Sequence, residues 1–315
     1  MTKQSLNQIL GIEHPIILAP MFLVSNVAMI KAAMNEGVAG CIPALNYRTV
    51  PELKKAILEL KKAKTPNGAF GFNLIVNKSN TKYPAQLEAC CELGVDFIIT
   101  SLGNPKSVID QAHAKGIKVF CDVVNLEQAV KVEALGCDAL VAVNNEAGGH
   151  RGNIDPKHLI ESLNANCKIP VISAGGVGNR EELQKMMGYG AVGVSVGSPF
   201  IASEESGISS EYKQACVDYG EKDIVMTQKI SGTPCTVINT PYVQEIGTKQ
   251  NWLENILNKN KQLKKYVKML RFLKGTNMVS KAAAGATYKT VWVAGPTIEH
   301  TKKIESTANI IQRFI

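Results

Sequence analysis

No stretch of the 315-residue chain approaches the ~18 consecutive apolar residues that a membrane-spanning helix needs. The opening residues, Met1-Thr2-Lys3-Gln4-Ser5-Leu6, also lack the hydrophobic core of a secretory signal. A soluble, cytoplasmic protein without a membrane partner is expected. No two of the eight cysteines are spaced Cys-x-x-Cys, so neither a zinc clip nor a dithiol motif is available. Cys41, Cys121 and Cys137 lie in or beside apolar runs and Cys90 adjoins Cys91, which suits free, mostly buried thiols of a reducing compartment. Acid is nearly missing from one place: positions 249–274 carry seven Lys and one Arg against the single acid Glu254. That segment accounts for almost all of the formal net charge of +8, and the rest of the chain is close to neutral. Few aromatics interleave with these lysines, which argues against a nucleic-acid surface. The segment reads as the solvated face of an amphipathic helix or as a dock for an acidic partner.

What is abundant is a repeat of helix, glycine and strand. An amphipathic stretch ends and an apolar run follows at Gly37-Val38-Ala39-Gly40, Gly94-Val95-Asp96, Gly116-Ile117-Lys118, Gly136-Cys137-Asp138 and Gly190-Ala191-Val192-Gly193. Glycine just past a helix supplies the left-handed turn that returns the chain to a sheet. The apolar runs predict strands over 15–21, 38–45, 70–76, 96–102, 118–124, 139–143, 170–174 and 192–196. Helices are predicted between them over 26–35, 50–63, 84–93, 105–115, 126–135, 156–163 and 180–187. Helix-start chemistry supports several: Thr49, Asn104-Pro105, Asn125, Asp155-Pro156 and Asn179. Crossover helices force parallel strands, and eight strands close a TM-free α/β architecture, the TIM (β/α)8 barrel. An open doubly wound sheet is the alternative. A chain of this length fits one barrel with an insertion.

In a barrel, function gathers where the strands end. The candidate residues there are Ala19-Pro20-Met21, Asn73, Ser101-Leu102-Gly103, Asp122, the run from Asn144 to Gly152, Ala174-Gly175-Gly176 and Gly197-Ser198. Glycine-rich exits after the seventh and eighth strands suit a phosphate group, bound by backbone N–H groups. In Asn145-Glu146-Ala147-Gly148-Gly149-His150-Arg151-Gly152, paired glycines precede an imidazole that titrates near neutral pH. His150 is either a proton-handling group or a residue that only braces a tight turn. Past Phe200 the repeat changes. One more helix is expected over 209–219, and Ser231-Gly232-Thr233-Pro234 and Asn239-Thr240-Pro241 read as loops. A lysine-rich helical stretch with Leu253, Ile256, Leu257, Leu263, Val267, Leu270 and Leu273 follows. The expected organisation is a barrel over 1–222, a basic, mostly helical lid inserted after strand eight over 223–285, and a return segment over 286–315 that supplies a last outer helix.

Five blocks in this order resemble the nitronate monooxygenase family, which also contains FMN-dependent enoyl-acyl-carrier-protein reductases and NAD(P)H:quinone reductases. They are Pro15-Ile16-Ile17-Leu18-Ala19-Pro20-Met21, Gly71-Phe72-Asn73-Leu74, Glu146-Ala147-Gly148-Gly149-His150, Ile172-Ser173-Ala174-Gly175-Gly176-Val177 and Val196 through Ser203. The resemblance implies FMN across the barrel mouth, with Ala19, Pro20 and Met21 lining it through backbone contacts and Asn73 facing the ring. By the same resemblance Asp122, Gly148 and Ala174 are cofactor neighbours, Gly175, Gly176, Gly197 and Ser198 hold the phosphate, and His150 is catalytic. It implies a nitronate or nitroalkane substrate oxidised with O2, or, as the alternative, NAD(P)H-driven reduction of an enoyl thioester or a quinone. An acyl carrier protein is then a candidate partner for the basic segment, and a homodimer a candidate assembly. Three departures bear on the substrate: Pro199 removes a backbone donor beside Ser198, Phe22-Leu23-Val24 replaces a small-residue turn, and Asp122 stands where some relatives carry Lys. A flavin-free phosphate-sugar isomerase would share the phosphate glycines but not the Ala19–Met21 and Asn73 matches. A non-enzymatic flavin carrier would have no use for His150.

Overall fold

The computed structural model describes residues 3–77, 80–229, 234–248, 277–285 and 291–315. Eight parallel strands close on themselves: β1 (Ile16–Leu18), β2 (Ala39–Pro43), β3 (Ala69–Ile75), β4 (Phe97–Ser101), β5 (Lys118–Val123), β6 (Ala139–Val143), β7 (Val171–Ala174) and β8 (Gly193–Val196). β1 pairs with both β2 and β8, so no strand edge is left open. The barrel expected from the helix–glycine–strand repeat is the fold, and the doubly wound alternative falls.

Alternation along each strand sorts the core into two layers. Ile17, Ala39, Cys41, Ala69, Phe97, Ile99, Phe120, Ala139, Val141 and Ile172 point inward and fill the barrel with one apolar cluster. Phe97 and Phe120 stack inside it with ring centroids 5.4 Å apart. The intervening residues, among them Ile16, Leu18, Phe70, Phe72, Ile98, Val119 and Leu140, pack under the outer helices. Those helices start where their caps predict. Thr49 and Glu52 form a capping box for Val50–Lys62, and Asn26, Asn125, Asp155 and Asn179 each accept a first-turn N–H. At Asn104-Pro105 the side chain acts slightly earlier than a cap, its Oδ1 accepting from Lys106 N at 2.9 Å before the helix Lys106–His113.

A helix not anticipated from the pattern, Leu6–Leu10, closes the bottom of the barrel. It is too short to show a periodic stripe, but its Ser5/Gln8 capping box is legible in retrospect. Leu6 is fully buried in the interior cluster with Ile9 and Leu10 packed beside it, and its N–H donates to Val192 O.

Beyond the barrel helix Ser210–Asp218, the segment expected to be a mostly helical lid opens as a ribbon. β9 (Ile224–Thr227) and β10 (Cys235–Ile238) pair antiparallel, and a short helix, Pro241–Ile246, follows. The basic stretch over 249–274 lies outside the described residues. The chain returns through Val291–Gly295, where Val293 bridges to Val237, Trp292 stacks on Tyr212 at 5.5 Å, and the Tyr212 hydroxyl donates to Val293 O. The last outer helix is shorter than the apolar spacing implied. It runs over Thr307–Gln312 because Ser306 caps it there, and Ile304 stays outside it and exposed.

If Leu6 seals the interior, Leu6→Ala should leave a cavity under Ile17 and Gly193 and cost ~2–5 kcal/mol of unfolding free energy. Urea unfolding of the variant, with its slope unchanged, measures this directly.

Candidate functional site

The inward alternation that buries Ile99 and Phe120 ends, one step further along, on different chemistry. Ser101 on β4 and Asp122 on β5 hold the last inward positions of their strands, and Asn73 on β3 lies inward one step before the last. They form a hydrogen-bonded row. Asn73 Nδ2 donates to Ile99 O at 3.1 Å and to Ser101 Oγ at 2.7 Å, and the Ser101 hydroxyl donates to Asp122 Oδ2 at 2.5 Å. Because Ile99 O can only accept, the Asn73 amide has one possible orientation. Both of its N–H bonds are used, and Oδ1 is the atom it offers. Ser101 appeared among the strand exits of the sequence but not among the expected cofactor or catalytic residues. Its part in this row becomes visible only when three strands lie side by side.

Asp122 sits above Phe120, and among the described residues no cation stands beside it. Burial over the apolar interior pushes its carboxyl up to about 6, and the bond from Ser101 opposes that rise. Tight surroundings and a partly exposed surface coexist here, because the neighbouring atoms lie below and beside the carboxyl while the barrel mouth lies above it.

Opposite this row, β7 and β8 end in glycine. Gly175 and Gly176 have φ of +107° and +76°, conformations that favour glycine. A Cβ on Gly175 would stand 2.4 Å from Ala147 N and one on Gly176 would collide with the Glu146 carboxylate. The 144–147 loop closes onto the glycines through Asn144, which is fully buried. Its Nδ2 donates to Gly175 O at 3.0 Å and its Oδ1 accepts from Glu146 N at 2.9 Å. The carboxyl of Glu146 is pushed upward, chiefly by burial. Ala174 lies inward at the end of β7, packed against the interior cluster.

Gly197 faces the end of β1, where a Cβ would touch Met21 Sδ at 3.5 Å and Ala19 Cβ at 3.6 Å. The turn after β1 is less available than its resemblance implied. Ala19 N donates to Val196 O, Met21 N to Ser25 Oγ, and the Ser25 hydroxyl to Ala19 O; Pro20 has no N–H. Donors are spent on the turn itself, so what Ala19 and Met21 present is side-chain surface. Leu23 is held at φ +63° with its N–H on Asn46 Oδ1.

Ser198 is likewise shared: its Oγ accepts from Gly295 N at 2.8 Å. Gly148 and Gly295 pack so closely that a Cβ on either would meet the other's backbone within 3 Å. The return segment therefore locks the β6 and β8 loops together, a function that neither Gly148 nor Gly295 announces locally. The next residue, Gly149, is tied to the ribbon. Thr236 N donates to Gly149 O at 2.9 Å, and Gly149 N donates to Thr236 Oγ1 at 2.7 Å. His150 follows directly, on a loop braced further by Arg151 Nη1 to Asn145 O. Its side chain retains exposed surface, while the protein packed round it holds the imidazole below the usual histidine range. The signal that could have found the ribbon is a pair of β-branched runs, Ile224-Val225-Met226-Thr227 and Cys235-Thr236-Val237-Ile238, on either side of loop-like residues.

These residues form two clusters at one end of the barrel: a polar row on β3–β5, and a set of glycines on β6–β8 with the β1 turn beside them. Among the described residues no group of acids, histidines and cysteines is arranged to hold a metal ion.

A family model described as nitronate monooxygenase matches residues 3–315. The nitronate monooxygenase of Paraburkholderia phytofirmans is 28% identical over 276 residues, covering 73% of this chain and 75% of its own. A hydroxy-methyl-oxo-octahydro-indene-carboxyl-CoA dehydrogenase of Rhodococcus jostii is 27% identical over 244 residues, covering 78% and 68%. The solved structure of FabK from Thermotoga maritima superimposes with a TM-score of 0.82 at 25% identity, over 99% of this chain and 95% of that one.

If the close approach at Gly175 is needed, Gly175→Ala should lower stability by ~1–3 kcal/mol or more, since it adds positive-φ strain to a backbone clash. The thermal midpoint of the variant, compared with that of an exposed Gly188→Ala control that meets nothing nearby, measures the effect.

Proposed function

Because the chain belongs to the nitronate monooxygenase family and is an oxidoreductase, we propose that it binds FMN and oxidises nitronates or nitroalkanes with O2 to a carbonyl compound and nitrite. The observation that carries this reading is the division of the barrel mouth. A side-chain-free cradle of glycines stands across from an oriented amide and a row of hydrogen-bonding groups.

The residues present fit FMN. The loops after β7 and β8 carry backbone without side chains at Gly175, Gly176 and Gly197, and that backbone, with the Ser198 hydroxyl, would hold the phosphate. Asn73 Oδ1 is an acceptor suited to an N–H of the ring, because its amide nitrogen is already committed. Met21 and Ala19 give apolar surface beside Gly197. When bound, FMN supplies the electron-accepting ring and returns electrons to O2. The protein's own contribution is position, desolvation and one proton. His150, held toward its neutral form at pH 7, is suited to accept the α-proton of a neutral nitroalkane. A preformed nitronate has no such proton to lose and needs His150 only as an orienting donor.

A second reading is favoured by the full-length likeness to FabK and by the CoA thioester in the name of the Rhodococcus relative. In it NAD(P)H is the reductant, an acyl thioester is the substrate, and an acyl carrier protein meets the basic segment.

The purified protein is expected to be yellow, releasing FMN on heating as identified by its mass. Anaerobic mixing with ethyl nitronate should bleach it without NADH or NADPH. Bleaching by a nicotinamide alone would select the reductase reading, and a colourless folded protein would reject both.

His150→Ala should retain flavin, whose phosphate rests on other loops, and lose ~10²–10⁴-fold in turnover of neutral nitroethane but less with its nitronate. In the wild type, turnover of the neutral substrate should fall as pH drops through a value below the ordinary histidine range, because protonation removes the base. Full activity of the variant on both substrates would make His150 a turn residue.

A further inference from the structure

Among the described residues, Asp122 is the only ionisable side chain that the inward alternation of the barrel brings to its topmost layer. By the same alternation the last inward residues of the other strands are Ile17, Pro43, Ile75, Ser101, Val143, Ala174 and Ser195. Its situation differs from that of a structural carboxylate, because among the described residues it meets no partner of opposite charge. Asn73 donates to Ser101 and Ser101 donates to Asp122 Oδ2, so the row holds one carboxyl oxygen in place. The ionisable groups that its charge reaches are two buried thiols, Cys41 on β2 and Cys121 on its own strand. On β3, β4 and β6 the facing side chains are Asn73, Ser101 and Val141, none of which titrates. His150 titrates at the same end of the barrel, on the loop after β6.

We propose that Asp122 is the specificity-determining group of this mouth, admitting an anionic ligand such as a nitronate when protonated and turning anions away when ionised. The inference rests on the reading of the site as nitronate-oxidising, which supplies the substrate class. The physical reason is that two like charges, with no counterion beside Asp122 among the described residues, raise each other's cost, and the apolar floor of Phe120 and Ile99 provides no screening. The sign is set by burial. With its carboxyl raised to about 6, Asp122 is neutral below that pH and ionised above it, so anion binding is strong on the acid side and weakens as pH rises. Ser101 is the positioning residue, because its hydroxyl stabilises the ionised form and thereby sets where the change occurs.

The test uses nitrate, a planar anion with the shape of a nitro group, titrated calorimetrically into the protein as purified. At pH 5 wild type and Asp122→Asn should bind it equally. At pH 8, where His150 is neutral in both, the Asn variant should bind ~10–100-fold more tightly, because two pH units above its pKa about one carboxyl in a hundred is still neutral. Ser101→Ala removes the donor but keeps the acid, so the pH at which nitrate binding weakens should move upward. That shift is a readout that a purely structural role would not produce. Equal affinities of wild type and Asp122→Asn at pH 8, an unmoved midpoint in Ser101→Ala, or absence of nitrate binding at pH 5 would each overturn the proposal. Calorimetry needs no chromophore, so a colourless protein would defeat the FMN reading while this result stands or falls separately.

Discussion

Closure of β1 against β8 is the constraint from which the rest follows. Once Ile16, Ile17 and Leu18 pair with Val194, Ser195 and Val196, the sheet has no edge and its interior has a fixed, small volume. That volume is filled by apolar side chains from successive layers and stoppered below by Leu6. Polar chemistry cannot be accommodated inside without large desolvation costs, so it is confined to the inward positions nearest the carboxyl ends of the strands and to the loops beyond. The row Asn73, Ser101, Asp122 and the glycine ends of β7 and β8 are what the barrel leaves at that boundary.

The two clusters are held by different means. The polar row is rigid because its members bond to one another and to the sheet, with Ile99 O fixing the first of them. The glycine side is rigid because several loops approach too closely for side chains. Asn144 binds the β6 loop to Gly175, Ser198 binds the β8 loop to Gly295, and Gly148 fits against Gly295. The ribbon adds a clasp on Gly149, one residue before His150. The loop carrying His150 is thus anchored on both flanks, which limits the entropy lost when a ligand is positioned beside it.

In the function proposed above, this division separates what would bind the cofactor from what would select the substrate. Backbone and glycine serve the first task and tolerate little change, since a single methyl group would collide with a neighbouring chain. The second falls to side chains such as Asp122, Leu23 and Met21, whose replacement changes charge or shape without breaking a brace. A carboxyl over an apolar floor is costly to keep charged. Its retention there, tied to Ser101 but without a counter-charge among the described residues, fits a role in the ligand's electrostatics better than one in holding the fold together.

Much of this was determined by the sequence alone. The eight strands, the crossover helices and most of their caps could be placed, because parallel barrels write themselves as buried β-branched runs separated by amphipathic stretches, each ended by glycine. The five blocks in order likewise identified the family to which the chain belongs. Short elements escaped: the plug Leu6–Leu10 has too few residues for a period, and the ribbon was hidden behind its loop-like turn. The deciding contacts were beyond sequence altogether. Asn73 lies 28 positions and Asp122 21 positions from Ser101, and only sheet register brings the three into one row. Thr236 reaches Gly149 across 87 positions and Gly295 reaches Ser198 across 97. Local propensity carries no record of such pairings. They arise when the barrel closes and the ribbon and the Val291–Gly295 segment pack against its loops, because only then do distant backbones compete for the same space.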